Sequence, residues 1–379
     1  MAQYLEEAQA MRDEIVAHRR YLHQHAELGF ALTETVDYVC RTLRGYGYEP
    51  RLLGGGVTCT VGSGAPVILL RGDMDALPQT EESGEPFASR TGACHSCGHD
   101  AHTAMLLGTA KLMFQAGEET LKGSQKMIDA GILENPKVDA AMGFHMNFGA
   151  NGYEDMRPGV LLYAEHQAMA SADEFRITAK GVSAHGSTPF RGVSAAHVAS
   201  ATVTALQQLL PMEVDASEQA ILSVGSIHSG SASNIVPGEA VIGGSFRTFS
   251  PQARECLQQR EPEPASGIAA AWRAKAETEY TIGVAPNVND EALTREMADY
   301  ASEVMKKVQV ISPVKGSEDF ANLCRYVPTF FANICAGGEK EGYLYSTHNP
   351  KARLDEDALP YGAALHVTCA MNWLAHHKK

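Results

Sequence analysis

The stretch Val67-Ile-Leu-Leu-Arg-Gly-Asp73-Met-Asp75-Ala-Leu-Pro78 decides how the chain folds. Val67 to Leu70 is an unbroken apolar run, which is how a strand covered on both faces of a parallel sheet reads. It passes directly into two aspartates, Asp73 and Asp75. In open α/β sheets, ligands bind beyond the carboxyl ends of the strands. The two carboxylates are therefore either loop caps or part of a site. Two further apolar runs repeat the pattern. Lys111 to Gln115 is followed by Glu118-Glu119, and Ala140 to Phe144 is followed by His145. Three strands ending in Asp, Glu-Glu and His predict an α/β fold with a mostly parallel central sheet and flanking helices. Its rim would gather carboxylates and imidazoles. The alternative for Glu118-Glu119 is a solvated acidic turn.

Between the first two strands lies Cys94-His-Ser-Cys97-Gly-His99-Asp-Ala-His102, opening into an apolar helical run over 101–110. Sulfur and imidazole donors at this density suit a borderline-soft divalent ion. One reading is a structural metal knuckle or a redox thiol pair. The other is a catalytic metal centre completed from elsewhere. A closed structural zinc site needs a second short-spaced Cys/His pair. Cys256, Cys324, Cys335 and Cys369 are scattered and form none. Hydrolysis at a metal also needs a base to take a proton from water, and adjacent glutamates can divide ligation and base duty.

The chain has 379 residues, enough for two domains, and a formal charge of −14, which argues against a nucleic-acid partner. No apolar run approaches the ~20 residues of a membrane helix. A polar, acidic start and eight unpatterned cysteines predict a reducing, cytoplasmic setting.

At the N-terminus, residues 5–22 have the spacing of one amphipathic helix and 33–43 of a second. His23 and His25 lie between them and read as partly buried structural histidines. From Asp173 the texture changes. Residues 174–180 alternate, 194–210 are helical, 220–228 and 240–249 are strands, 251–273 are helical, and 276–284 form a last strand. The order β-α-β-β-α-β predicts an inserted ferredoxin-like α+β domain. The boundaries expected are 1–170 and 287–379 for the catalytic domain and 171–286 for the insert. His185, Asn234 and Arg247 stand out within it, and an Arg on a strand can hold a carboxylate by bidentate contact. Helix is expected over 292–308, a strand over 330–335, a loop at Thr347-His348-Asn-Pro350 and a closing helix over 357–373.

The ordered segments HQHAELGF, RGDMDALP, CGHDAHTAMLLG, FQAGEE, GFH, GVSAHGSTP, SNIVP, SFRTF, GSEDFA and THNP resemble the M20 metallopeptidase superfamily along nearly the whole chain. Within it they are most similar to the amidohydrolase branch: N-acyl-amino-acid amidohydrolases, hippurate hydrolases and auxin-conjugate hydrolases. The resemblance implies metal-dependent hydrolysis of the amide bond of N-acyl amino acids. Carboxypeptidase or dipeptidase activity is the alternative on the same scaffold, and a metal- or ligand-binding homologue without turnover is a third. By resemblance Cys97, His99, Glu119, His145 and His348 would hold two divalent ions (Zn2+, Mn2+ or Co2+), with Cys97 bridging. Glu118 would be the general base, and Asp75 would orient a metal histidine. His185, Asn234 and Arg247 would hold the substrate carboxylate and the oxyanion, and the insert would be a lid that pairs two copies into a homodimer. Cys94 and His95 are not ligands in this picture, and His102 is a neighbour.

The sequence departs from that family in two places. A helix over 100–110 descends about 16 Å. The five-residue strand after it climbs back about 17 Å. None of the ~2–6 residues of an ordinary turn remains between them. Relatives carry a longer helix and a loop here, so a shortened connection would shift Glu118 and Glu119. Second, Glu261-Pro-Glu-Pro264 falls inside the second helix of the insert, where each interior proline costs about 3 kcal/mol. A break is expected there.

Overall fold

The computed structural model describes residues 2–107 and 111–378. Helices α1 (Ala2–Ala10), α2 (Arg12–Gln24) and α3 (Thr33–Gly45) lead into strands β1 (Arg51–Leu53), β2 (Gly56–Cys59) and β3 (Ile68–Asp73). Then come α4 (His99–Leu106), β4 (Lys111–Gln115), α5 (Gly123–Asp129), β5 (Ala140–Asn147), β6 (Val160–Tyr163) and β7 (Gln167–Met169). The next segment holds β8 (Ala172–Lys180), β9 (Ala184–His185), α6 (Ala195–Leu206), α7 (Leu209–Glu213), β10 (Ala220–Ser229), β11 (Ile235–Val236) and β12 (Glu239–Thr248). It continues through α8 (Pro251–Arg260), α9 (Pro262–Ala271), β13 (Lys275–Val284) and β14 (Asn287–Val288). The chain closes with α10 (Glu291–Ala301), β15 (Lys307–Val310), β16 (Thr329–Cys335) and α11 (Leu359–His377).

Two compact units result. Residues 1–168, 289–312 and 319–379 form the first, and residues 169–288 with 313–318 the second. The first unit holds an eight-stranded sheet in the order β1-β2-β4-β3-β5-β16-β6-β15. Its centre is parallel: β4 with β3, β3 with β5, and β5 with β16. β3, β4 and the first five residues of β5 are buried throughout, as strands covered on both faces must be. Leu70, Phe114, Met142, Phe144 and Phe330 of the sheet share one core with Ala104 and Met105 of α4, Met297 of α10 and Leu365 and Trp373 of α11.

The second unit has the β-α-β-β-α-β order and an antiparallel sheet, β10-β12-β8-β13. β8 alternates buried and exposed residues along most of its length. Its inner residues Phe175, Ile177 and Ala179 join Ile242, Phe246, Val198, Leu206 and Leu257 in a separate core.

Several boundaries differ from expectation. The first helix is divided at Met11 into α1 and α2. His145 lies inside β5 rather than after it. The helix expected over 292–308 stops at Ala301, and Lys307–Val310 forms an edge strand parallel to β6. α4 ends at Leu106, with Leu107 already extended. Part of the expected turn therefore comes from the end of the expected helix, while 108–110 lie outside the described residues. In the insert the helical ladder divides at Glu261, whose own φ and ψ stay helical. Pro262 and Pro264 fall in the first turn of α9, where backbone N–H groups have no intrahelical acceptor to lose. Among the described residues no helix is long and apolar enough to cross a membrane.

Candidate metal centre

The centre lies in the first unit and is built from strand ends. The β3–β4 ladder runs from Leu69↔Lys111 to Asp73↔Gln115, so the carboxyl ends of both strands stop side by side. Beyond β3, Asp75 is fully buried. Its Oδ1 accepts the Glu118 N–H at 2.9 Å and its Oδ2 the Glu119 N–H at 3.2 Å. One carboxylate thus fixes the backbone of both glutamates. The Asp75 carbonyl oxygen also lies 2.7 Å from His99 Nδ1, which donates to it. That bond leaves Nε2 as the unprotonated nitrogen of a neutral His99.

His99 opens α4 behind Gly98, whose φ of +99° is left-handed. A Cβ at Gly98 would stand 3.2 Å from the Phe148 ring and 3.3 Å from the Met146 Cβ. Glycine there lets the Cys97–His99 turn lie against β5. His99 Nε2 is 3.7 Å from Glu118 Oε2 and 4.0 Å from Glu119 Oε1. Cys97 Sγ is 3.4 Å from His145 Nε2. Glu119 Oε1 is 3.7 Å from His348 Nε2. Coordinating atoms of Cys97, His99 and His145 lie within 4.8 Å of one another, as do those of Cys97, Glu119 and His348. Cys97 belongs to both groups. All seven residues expected in this unit, Asp75 and Glu118 included, therefore come together. The early end of α4 leaves β4 in register and the two glutamates beside His99.

Burial shapes the charges. It pushes the Cys97 thiol up and His145 well below the usual imidazole range. It also raises Glu119. Burial opposes a proton on His99, but Asp73 and Cys97 outweigh it and hold His99 well above its ordinary range. His99 Nε2 and Glu119 Oε1 are buried and make no hydrogen bond among the described residues. Orphaned donor atoms of this kind are costly unless something else satisfies them. A thiol, three imidazoles and carboxylates at these spacings fit divalent ions. Bound cations would favour the thiolate and carboxylate forms that burial alone disfavours.

His348 differs from the other ligand candidates. It is 57% exposed at its side chain and has a φ of +66°. Its N–H donates to the Ser96 carbonyl at 3.0 Å, which ties its loop to the Cys/His turn. In the second unit, His185 on β9 pairs with Ile235 on β11, and Gly186 N–H donates to the Asn234 carbonyl at 2.6 Å, so His185 and Asn234 are neighbours. Arg247 on β12 donates from Nη1 to Ser317 Oγ at 2.5 Å. Ser187 N–H donates to His185 Nδ1 at 3.1 Å.

Two buried networks behind the centre were not singled out as site residues from the sequence. Asp73 meets Arg71 Nη1 at 2.6 Å and His102 Nδ1 at 2.6 Å. Asp100 accepts from Arg19 Nε at 2.9 Å and pairs with His23 Nδ1 at 2.8 Å, while His23 Nε2 faces Glu81 at 2.9 Å. Burial works against the Asp100 charge, but Arg19 and His23 hold it far below the usual carboxylate range. His95 is buried and lowered to about 4 by burial, and among the described residues its ring nitrogens find no partner. The signal available was an arginine inside an otherwise apolar strand, Arg71, which must meet a buried carboxylate.

Comparison with known proteins identifies the family. Residues 69–372 match the model of Peptidase family M20/M25/M40. An N-acetyl-L-cysteine deacetylase of Bacillus subtilis (strain 168) is 34% identical over 92% of this chain and 85% of its own length. IAA-amino acid hydrolase ILR1-like 2 of Arabidopsis thaliana is 34% identical over 96% of this chain and 85% of its own. Thermostable carboxypeptidase 2 of Saccharolobus solfataricus is 31% identical over 96% of each. A crystal structure from Bacillus subtilis, described as a dinuclear metal binding peptidase from the M20 family, superposes with a TM-score of 0.81 at 28% identity, over 97% of this chain and 99% of that one. With the family model covering most of its length, the chain belongs to Peptidase family M20/M25/M40.

Proposed function

We propose that the chain releases a free amino acid and a carboxylic acid from an N-acyl amino acid with a short or aromatic acyl group. The chain is a metal-dependent amidohydrolase of the M20 family, and two divalent ions accord with that family and with its dinuclear relative. Cys97, His99, Glu119, His145 and His348 would hold the ions, which are Zn2+, Mn2+ or Co2+. Bound there, they supply a polarised amide carbonyl and a water of lowered pKa. Glu118 takes a proton from the attacking water and returns it to the departing amine nitrogen. Asp75 keeps Glu118 and Glu119 in place through their backbone N–H groups. In the second unit, Arg247 would take the substrate carboxylate, and His185 and Asn234 would donate to the developing oxyanion. That unit, expected to span 171–286, would act as the lid and pair two copies into a homodimer.

The observation that carries the reading is the meeting of donors distant in the chain, Cys97, His99, Glu119, His145 and His348, around His99 Nε2 and Glu119 Oε1. The carboxypeptidase relative favours one second reading, cleavage of a C-terminal residue from a peptide. The test is a substrate panel on metal-replete protein. N-acetyl and N-benzoyl amino acids should be hydrolysed, with activity lost to a chelator and restored by Mn2+, Zn2+ or Co2+. Faster turnover of unblocked dipeptides would favour the second reading. Tight binding without turnover, unchanged by Glu118→Ala, would overturn both.

A further inference from the structure

We propose that His102, paired with Asp73, is a positioning residue that sets the hold of Cys97, His99 and His145 on their ion. The proposal rests on the dinuclear reading given above. It starts from an edge left open in the sheet. β3 pairs with β5 only as far as Arg71↔Gly143. On its other side β5 stays paired with β16 as far as Asn147↔Cys335. Beyond Gly143 the β3 side of β5 has lost its strand partner in that ladder. A buried N–H left unpaired there would be expensive. His102 fills the place: its Nε2 accepts the Met146 N–H at 2.7 Å.

That bond also fixes the chemistry of the ring. A backbone N–H can only donate, so Nε2 carries no proton. The proton is then on Nδ1, which donates to Asp73 Oδ1 at 2.6 Å. Both nitrogens are occupied. Although Asp73, His99 and His102 lie close enough to resemble a ligand group, His102 has no lone pair left for a cation. It is a strut between two ligands.

One end of the strut is on α4, where His102 sits one turn after His99 and on the same face. The other end is Met146, the residue after His145. Met146 is bracketed on both polar groups, since its carbonyl lies 2.8 Å from His145 Nδ1. His145 in turn faces Cys97 Sγ through Nε2. The rings of His102 and His145 also meet directly, with centroids 4.6 Å apart at 63°. The strut is braced from below. Arg71 donates to Gln115 Oε1 at 3.0 Å and meets Asp319 at 3.2 Å as well as Asp73. Thr103 Oγ1 donates to the Asp73 carbonyl at 2.6 Å. A Cβ at Gly72 would stand 3.0 Å from the His102 carbonyl oxygen, so glycine there admits α4 this close to β3.

The test uses Zn2+ titrated into metal-free full-length protein against a chromogenic chelator, with the total bound measured independently. His102→Leu removes both hydrogen bonds. His102→Gln retains one donor and one acceptor. Wild-type protein should take up two ions per chain. His102→Leu should keep the ion of the Cys97–Glu119–His348 group and bind the other about 10- to 100-fold more weakly, the usual effect of losing a group that orients a metal histidine. His102→Gln should recover most of that loss, which a merely space-filling role would not predict. His102→Leu binding both ions like the wild type would overturn the proposal, as would a His102→Gln no better than His102→Leu. A wild-type chain holding fewer than two ions would overturn the dinuclear reading and the proposal with it. Should His102→Leu not fold, histidine 15N NMR of the wild type decides: the His102 Nε2 resonance should stay in place as Zn2+ is added, and a shift to that of a metal-bound nitrogen would make His102 a ligand and end the proposal.

Discussion

Replacing Asp75 by asparagine tests the central piece of the geometry with almost no change of shape. Asp75 is fully buried and offers one oxygen to each of two backbone donors, Glu118 N–H at 2.9 Å and Glu119 N–H at 3.2 Å. An asparagine has one oxygen and one NH2 group. Whichever way it turns, the NH2 faces a backbone N–H, so one hydrogen bond becomes a donor–donor contact. A hydrogen bond to a charged group contributes about 1.5–3 kcal/mol. The glutamate turn would relax away from the clash, moving Glu118 relative to the attacking water. If the loss falls on the transition state, kcat should drop about 10- to 150-fold, at 1.36 kcal/mol for each factor of ten. KM should move less, because the substitution leaves the residues proposed to hold the substrate carboxylate unchanged. The assay is steady-state hydrolysis of an N-acetyl amino acid by metal-replete protein, with metal content and melting followed in parallel. An unchanged kcat in an Asp75→Asn protein carrying both ions would refute the idea that Asp75 sets the place of the base.

Glu118→Gln should keep both ions and lose turnover by about 10²- to 10⁴-fold, the usual contribution of a general base, as read by kinetics and metal analysis together. Gly149 has a φ of +81°, and a Cβ there would stand 2.2 Å from the Tyr345 carbonyl oxygen. Gly149→Ala should therefore displace the segment carrying His348 and empty the Cys97–Glu119–His348 group while the other ion stays, a result that metal stoichiometry will show or deny. His348 is also the exposed ligand candidate, so graded chelation should strip that same group first, in two resolved steps rather than one. His366 is fully buried and lowered to about 4 by burial, against an ordinary value of about 6.5. The unfolded chain takes up that proton first as pH falls, so the stability is whole above about pH 6.5 and declines down to about pH 4, by about 3 kcal/mol in all. His366→Leu should flatten that slope in urea unfolding measured across the range.

What could be read from the residues alone was whatever short-range pattern dictates. Val67–Leu70, Lys111–Gln115 and Ala140–Phe144 are apolar enough that burial on both faces is forced, and their polar sequels then have to stand at one rim. The Cys97–His99 spacing was visible for the same reason. The extent of the elements was less legible, because long-range partners set it. β5 runs on through His145 because β16 continues beside it to Asn147↔Cys335. Lys307–Val310 carries no strong strand signal, and it is a strand because β6 lies parallel to it. The end of α4 at Leu106 could not be read from an apolar run that stays helix-compatible to Ala110. The roles of the two aspartates were also divided by tertiary structure. Asp75 clamps the glutamates, while Asp73 takes Arg71 and His102, and nothing in Arg71-Gly-Asp73-Met-Asp75 alone distinguishes them.

Both buried networks contain an arginine, an aspartate and a histidine. Arg19–Asp100–His23 supports the residue after His99, and Arg71–Asp73–His102 supports the residue after His145. Burying such groups gains little stability in general, since desolvation cancels much of the attraction, and an apolar replacement can be equally stable. Their use has to be sought in position. A metal histidine must present one nitrogen within a few tenths of an ångström, and helix or strand packing alone leaves its backbone freer than that. A charged pair under each ligand removes this freedom, because any displacement would break a hydrogen bond in a medium where water cannot replace it. His348 has no such support: it stands on a left-handed residue in a loop, half in solvent. The centre therefore has one side held by the sheet and α4 and another held by a loop whose tie to the Cys/His turn is the His348 N–H to the Ser96 carbonyl.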